Sequence, residues 1–145
     1  MAKIQIVVGS VTGMAEGVAD FIKENLDNEH QIDTNVETTV EDLVRDDGEF
    51  LLFCTSNTGC GDLPDNIYPL YEDLREIPPK IAGRRYALIN IGDSSFPTFG
   101  EAGAALDTAL KDIGAQPVAE SLLIDVGEER YPQKIALDWV KNILK

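Results

Sequence analysis

An α/β fold, doubly wound into a three-layer sandwich around a parallel sheet, is predicted by three features of this chain. Strand-like and helix-like segments alternate along its whole length, and two of the strand segments, Phe50 to Thr55 and Arg85 to Ile91, are continuous apolar runs. Three loops rich in small residues each begin where a strand segment ends. Alternation with short connections implies right-handed crossovers and helices on both faces. Unbroken apolar runs are what strands covered on both faces require.

Taken in order, Lys3 to Val8 is an apolar, β-branched strand that stops at Gly9, and Met14 to Asp27 places Ala15, Val18, Ile22 and Leu26 on one helical face. Gln31 to Val36 is a weaker strand, and Phe50 to Thr55 is the central one. Ile67, Leu70, Tyr71 and Leu74 then repeat at helical spacing until Ile77-Pro78-Pro79, where proline disfavours helix in the residue before it. After the strand Arg85 to Ile91, a helix following Gly100 turns Ala102, Ala105, Leu106, Ala109 and Ile113 inward, and Gly114 suits its C-terminal cap. The strand Ser121 to Val126 precedes a last helix with Pro132 in its first turn and an apolar stripe of Ile135, Trp139, Val140 and Ile143. The count is five strands and about five helices.

A length of 145 residues suits one domain, residues 1–145, with a real hydrophobic core. The two cysteines, Cys54 and Cys60, form neither a metal-ligand nor a thioredoxin-like pattern. No signal-like segment opens at Met1 and no run approaches the roughly 20 apolar residues of a membrane span, so the expectation is a cytoplasmic protein. Twelve Lys and Arg against 26 Asp and Glu give a formal charge of -14, with acids concentrated in Glu37 to Glu49 and at Glu128 and Glu129. A nucleic-acid backbone would be repelled, whereas a partner with a basic face would be steered toward this surface. Simple solubility is the other reading of the same charge.

In an open parallel sheet, ligands bind beyond the carboxyl ends of the strands where strand order reverses. Loops distant in sequence can therefore share one ligand. The first, Gly9-Ser10-Val11-Thr12-Gly13-Met14-Ala15, has no Lys or Arg but combines hydroxyls, glycine and a helix start, which together suit a phosphate. It matches neither a nucleotide-hydrolysing P-loop nor a Gly-x-Gly-x-x-Gly turn, and alone it fits an ordinary capped turn as well. The second, Ser56 to Asn66, carries Gly59 and Gly61, whose lack of a side chain lets the backbone lie against a planar ring. The third, Gly92-Asp93-Ser94-Ser95-Phe96, places Phe96 and Phe99 just past a buried strand, where they suit either a flavin stack or the core. Their coincidence at one end of the sheet reads as a single flavin site.

These loops, with Leu63-Pro64-Asp65-Asn66 after the second and Pro97-Thr98-Phe99 after the third, make the chain resemble the short-chain flavodoxins, and among them the bacterial MioC/YqcA type. The resemblance spans essentially the whole chain. It implies a flavodoxin-like sheet of order 2-1-3-4-5, noncovalent FMN, and single-electron transfer in place of catalysis on a substrate. By position, Ser10, Val11, Thr12, Gly13, Met14 and Ala15 would hold the phosphate, and Ser56, Asn57, Thr58, Gly59, Cys60 and Gly61 would line one flavin face and its N5 edge. Phe96 would stack on the other face, Phe99 would stand beside it, and Gly92, Asp93 and Gly100 would close the third loop, the last two through backbone groups. Ala15 stands where many members have threonine, Thr58 where many have tryptophan, and Phe96 where tyrosine is usual. The resemblance also implies that the Gly59–Cys60 peptide reorients on reduction, and that Asp62, Asp65 and Asp93 oppose added negative charge on the flavin. The implied partners are an NAD(P)H-dependent flavoprotein reductase as donor and acceptor redox enzymes with basic docking faces. A monomer keeps those faces open.

Rival readings are an FMN-dependent NAD(P)H:quinone-type reductase and a flavin-free binding module. A phosphoacceptor receiver domain would need acidic residues after the first strand, where this chain has Gly9-Ser10. His30, the single histidine, reads as a solvated turn residue, and no metal site is expected. Cys54 reads as core, and Tyr68, Tyr71 and Trp139 read as packing residues.

Overall fold

Continuously buried strands over Lys3–Gly9, Phe50–Ser56 and Arg85–Gly92, with 3.6-residue periodicity in the helices, fix the architecture. The computed structural model describes residues 2–11, 13–57 and 61–144. In chain order the elements are β1 (Lys3–Gly9), α1 (Met14–Leu26), β2 (Gln31–Asn35), α2 (Val40–Leu43), β3 (Phe50–Ser56), α3 (Tyr68–Glu76), β4 (Arg85–Gly92), α4 (Glu101–Asp112), β5 (Gln116–Pro117), β6 (Leu122–Asp125) and α5 (Pro132–Ile143). Every pairing is parallel and the order is β2-β1-β3-β4-β5, with β6 also on β4. The expected order 2-1-3-4-5 holds. Among the described residues no helix is long and apolar enough to cross a membrane.

Successive strand residues point to opposite faces, so the sheet divides the core in two. Ile4, Ile6 and Val8, with Leu52 and Cys54 and with Ala87, Ile89 and Ile91, pack against α1 and α5. Val7, Leu51, Phe53, Tyr86 and Leu88 face α3 and α4, where the Phe53 and Tyr86 rings meet edge to face with centroids 6.0 Å apart. Burial in α1 follows the expected face. In α4 Leu110 is buried instead of Ala105, and α5 buries Pro132, Ala136, Leu137 and Val140 while Ile135, Trp139 and Ile143 are only partly covered. Gly114, at φ +91°, ends α4 as expected: its N–H donates to Lys111 O and that of Ala115 to Leu110 O, the paired bonds of a Schellman cap.

Three expectations need correction. The fifth strand, expected over Ser121 to Val126, is two short pieces, β5 on Arg85 and Tyr86 and β6 on Ile89 to Gly92. Pro117 has no N–H for the ladder, and an edge strand tolerates the break that follows. His30 is not merely solvated: it is half-buried, and its Nδ1 accepts the Ala2 N–H at 2.9 Å, which ties the start of the chain to the end of α1. The acidic segment Glu37 to Glu49 is not all free surface. Gln5, fully buried in β1, donates to Glu49 Oε1 at 2.9 Å and to Asp42 O at 3.0 Å, and accepts from Asn35 Nδ2 at 3.0 Å. Arg45 closes this network on Glu49 and Asp33 at 2.8 and 2.9 Å.

Candidate functional site

Strand order reverses between β1 and β3, and the loops leaving β1, β3 and β4 meet beyond the carboxyl ends of those strands. Two asparagines in the second loop tie it to the first loop and to the strand and helix that flank the third. Asn66 Oδ1 accepts the Ser10 N–H at 3.0 Å, and its Nδ2 donates to Val8 O and Val36 O at 2.8 Å each. Asn57 reaches the other way: Nδ2 donates to Asn90 Oδ1 at 2.7 Å and to Ile91 O at 2.9 Å, and Oδ1 accepts the Ala102 N–H at 2.8 Å. The N-cap of α4 is Gly100, which has no side chain to cap with. Asn57 therefore caps that helix from another loop.

Within the first loop, Ser10 Oγ accepts the Gly13 N–H at 2.9 Å, and Gly13 in the left-handed region starts α1. The hydroxyl hydrogen of Ser10 remains a donor. The first-turn N–H groups of α1 have no carbonyl a turn earlier and carry the positive end of the helix dipole. Val11 and Met14 are exposed at the rim. Ala15 is fully buried, so it offers an anion its N–H alone, and its carbonyl accepts the Cys54 thiol at 3.5 Å. Burial pushes the Cys54 thiol up to about 12, which makes it an inert core group. Thr12, Thr58, Gly59 and Cys60 lie outside the described residues.

Ser56 is nearly buried and its Oγ donates to Gly9 O at 3.4 Å, a second tie between the first two loops. Gly61, at φ +78°, backs onto the third loop so closely that a Cβ there would lie 2.6 Å from Thr98 Cβ. In the third loop, Phe99 lies against Gly92, and Phe96 is 47% exposed. Asp93 Oδ1 accepts both the N–H and the hydroxyl of Ser95, at 2.9 and 2.7 Å. The Gly100 carbonyl accepts Asn90 Nδ2 at 2.9 Å and the Ala104 N–H at 3.1 Å, so it serves the scaffold of the loop.

The end of β6, which sequence reasoning left out of the site, adds Asp125. Its Oδ1 accepts the Ser94 N–H at 3.1 Å and the Gly127 N–H at 3.0 Å. The Ser94 side chain first, then the Ser94 and Gly127 N–H groups, hold its carboxyl below the ordinary range. A folded pKa lowered below the unfolded value of about 3.9 stabilises the native state above that pH, and the contribution is lost as pH falls through the folded value. The stability gap between the parent and Asp125→Ala is therefore expected to be constant from about pH 5 to 7 and to close below about pH 4. Thermal melts across that range check it, and a gap independent of pH would contradict it.

The donor set fits a phosphorylated planar cofactor: a hydroxyl and helix N–H groups without a cationic side chain at one end, and an exposed ring beside glycine-lined backbone at the other. Among the described residues no group of three or more His, Cys, Asp or Glu could hold a metal. Fold and site together define a doubly wound α/β protein that binds such a cofactor at its topological switch point. Comparison with known proteins agrees. The flavodoxin family model matches residues 6–139. Flavodoxin YqcA of Pectobacterium carotovorum subsp. carotovorum is 38% identical over 145 residues, covering 97% of this chain and 94% of that one. Protein MioC of Escherichia coli is 34% identical over 148 residues, covering all of both chains. The structure of a point mutant of flavodoxin from Pseudomonas aeruginosa superposes with a TM-score of 0.87 at 32% identity, covering 97% of this chain and 95% of that one. The chain belongs to the flavodoxin family. It is an FMN-binding electron-transfer protein, and the quinone-reductase alternative is not favoured.

Proposed function

We propose that this flavodoxin, acting through residues 1–145 as one cytoplasmic, monomeric domain, shuttles single electrons between an NAD(P)H-dependent flavoprotein reductase and acceptor redox enzymes, without catalysis of its own. The observation that carries this reading is that Asn66 ties the second loop to the first while Asn57 ties it to β4 and the start of α4, on either side of the third. FMN, when bound, supplies one-electron chemistry. The Ser10 hydroxyl and the first N–H groups of α1 bind its phosphate, with Val11, Thr12 and Gly13 shaping the turn and Met14 at its rim. The segment from Ser56 through Thr58, Gly59 and Cys60 to Gly61 lines one ring face and the N5 edge. Phe96 covers the other face, with Phe99 and Gly92 supporting it and the backbone of Asp93 at the pyrimidine edge. The carboxylates of Asp62, Asp65 and Asp93 disfavour extra negative charge in the cleft.

The test is the visible spectrum during stepwise anaerobic reduction, with the bound cofactor released and identified. One FMN per chain and two resolved one-electron steps are expected. A single two-electron step with rapid NAD(P)H oxidation would favour the reductase reading, and absence of FMN binding would overturn both. The charge of -14 supports partners with basic faces. Electron exchange with such a partner is expected to slow several-fold as the Debye length shrinks from about 10 Å at 0.1 M salt to about 3 Å at 1 M. Exchange that ignores ionic strength would remove the docking argument.

A further inference from the structure

The Asn66 side chain is committed in three directions at once. Its Nδ2 donates to Val8 O and Val36 O at 2.8 Å, and its Oδ1 accepts the Ser10 N–H at 3.0 Å. The two carbonyls fix the amide orientation, because a flipped amide would set its oxygen against both of them and its NH2 against the Ser10 N–H. Oδ1 is thereby held at one position by the carboxyl ends of β1 and β2, and it holds Ser10. The Ser10 Oγ in turn accepts the Gly13 N–H at 2.9 Å at the start of α1. With its N–H and one hydroxyl lone pair bound within the protein, Ser10 has its O–H as the donor it can turn toward an anion.

From this relay we infer that Asn66 is a positioning residue for the phosphate end of the cofactor: by fixing Ser10 it sets the discrimination between a flavin carrying a phosphate monoester and one that ends in a hydroxyl. The inference rests on the FMN reading above. The physical basis is that hydrogen bonds to an anion are about twice as strong as neutral ones and correspondingly sensitive to donor placement. A displaced Ser10 thus costs the phosphate far more than the ring. Asn66 also differs from a plain structural tie in that one of its three bonds goes to the residue that faces the anion.

The test titrates FMN and riboflavin separately into the apoprotein of the parent, Asn66→Ala, Ser10→Ala and the double variant, following flavin fluorescence. Asn66→Ala is expected to weaken FMN roughly tenfold or more and riboflavin by less than about twofold, and to shift the 31P resonance of bound FMN. The double variant should lose little more than Ser10→Ala alone, since one side chain acts through the other. Equal losses for FMN and riboflavin, or strictly additive losses in the double variant, would overturn the inference by making Asn66 a general structural residue. Should Asn66→Ala fold poorly, Asn66→Ser is read by the same FMN-to-riboflavin ratio. A parent that binds neither flavin would overturn the FMN reading itself, an outcome distinct from failure of the Asn66 relay.

Discussion

Asn57→Ala is expected to lower the melting temperature of the apoprotein by about 10 °C and to weaken FMN binding with it. The estimate follows from what the amide holds. Its Oδ1 takes the Ala102 N–H at 2.8 Å, and the Gly103 N–H lies at 3.4 Å, so truncation removes the cap of α4, worth about 1 kcal/mol. Its Nδ2 takes Asn90 Oδ1 at 2.7 Å, and Asn90 is buried, with its own Nδ2 spent on Gly100 O at 2.9 Å. Leaving that oxygen without a partner costs about 1–3 kcal/mol. A total of about 3 kcal/mol corresponds to about 10 °C for a domain of this size. Thermal denaturation monitored by far-UV circular dichroism reads it directly, and a shift under about 2 °C would refute the hub role. Asn57→Asp separates the two halves, since a carboxylate still caps α4, favourably placed at a helix N-terminus, but cannot donate to Asn90. It is expected to fall between the parent and the alanine variant.

The same residue shows where sequence reasoning succeeds and where it stops. The order of elements and the site loops were legible because periodicity and glycine placement are local signals. That Asn57 belongs to the site was legible from its loop. That it caps a helix 45 residues later was not, because capping is recognised in sequence only when the cap adjoins the helix. Asn66 and Ser10, 56 residues apart, were hidden in the same way, as was Asp125, whose partners Ser94 and Gly127 lie on two loops. Gln5 reads as a polar residue in an apolar strand. Only the fold brings Asn35, Asp42 and Glu49 around it and makes its burial tolerable.

Net charge misleads in a related way. The run Glu37 to Glu49 looks like uniform acidic surface, yet Glu49 is buried under Gln5 and Arg45, and Asp42 Oδ2 accepts the Thr39 N–H at 2.9 Å at the start of α2. Those carboxylates stabilise the edge of the sheet remote from β4. Asp62, Asp65, Glu101, Glu128 and Glu129 are exposed and belong to the end of the molecule where the site lies. Those five carboxylates stand where a basic-faced partner would meet the site, and other exposed acids lie on the remaining faces.

Gly61→Ala is expected to have the larger effect on FMN binding, on the order of a hundredfold, because two independent penalties fall on one position. The backbone is at φ +78°, a conformation that costs a residue with a Cβ about 1–3 kcal/mol. The added methyl would also lie 2.6 Å from Thr98 Cβ and 3.2 Å from its Cγ2, and neither atom is the free end of a long side chain. Overpacking of this kind costs about 1–3 kcal/mol when the backbone has to move. Thr98 stands between Phe96 and Phe99, and its carbonyl accepts the Glu101 N–H at 3.1 Å at the start of α4. Pushing Thr98 away therefore shifts the loop that carries the exposed ring. About 2.8 kcal/mol lost from binding is a factor of about a hundred. Removing the obstructing Cβ tests the division: Gly61→Ala combined with Thr98→Gly should recover the steric share of the loss and leave the conformational share. An unchanged FMN dissociation constant in Gly61→Ala would show that the contact between the second and third loops does not set the width of the cleft.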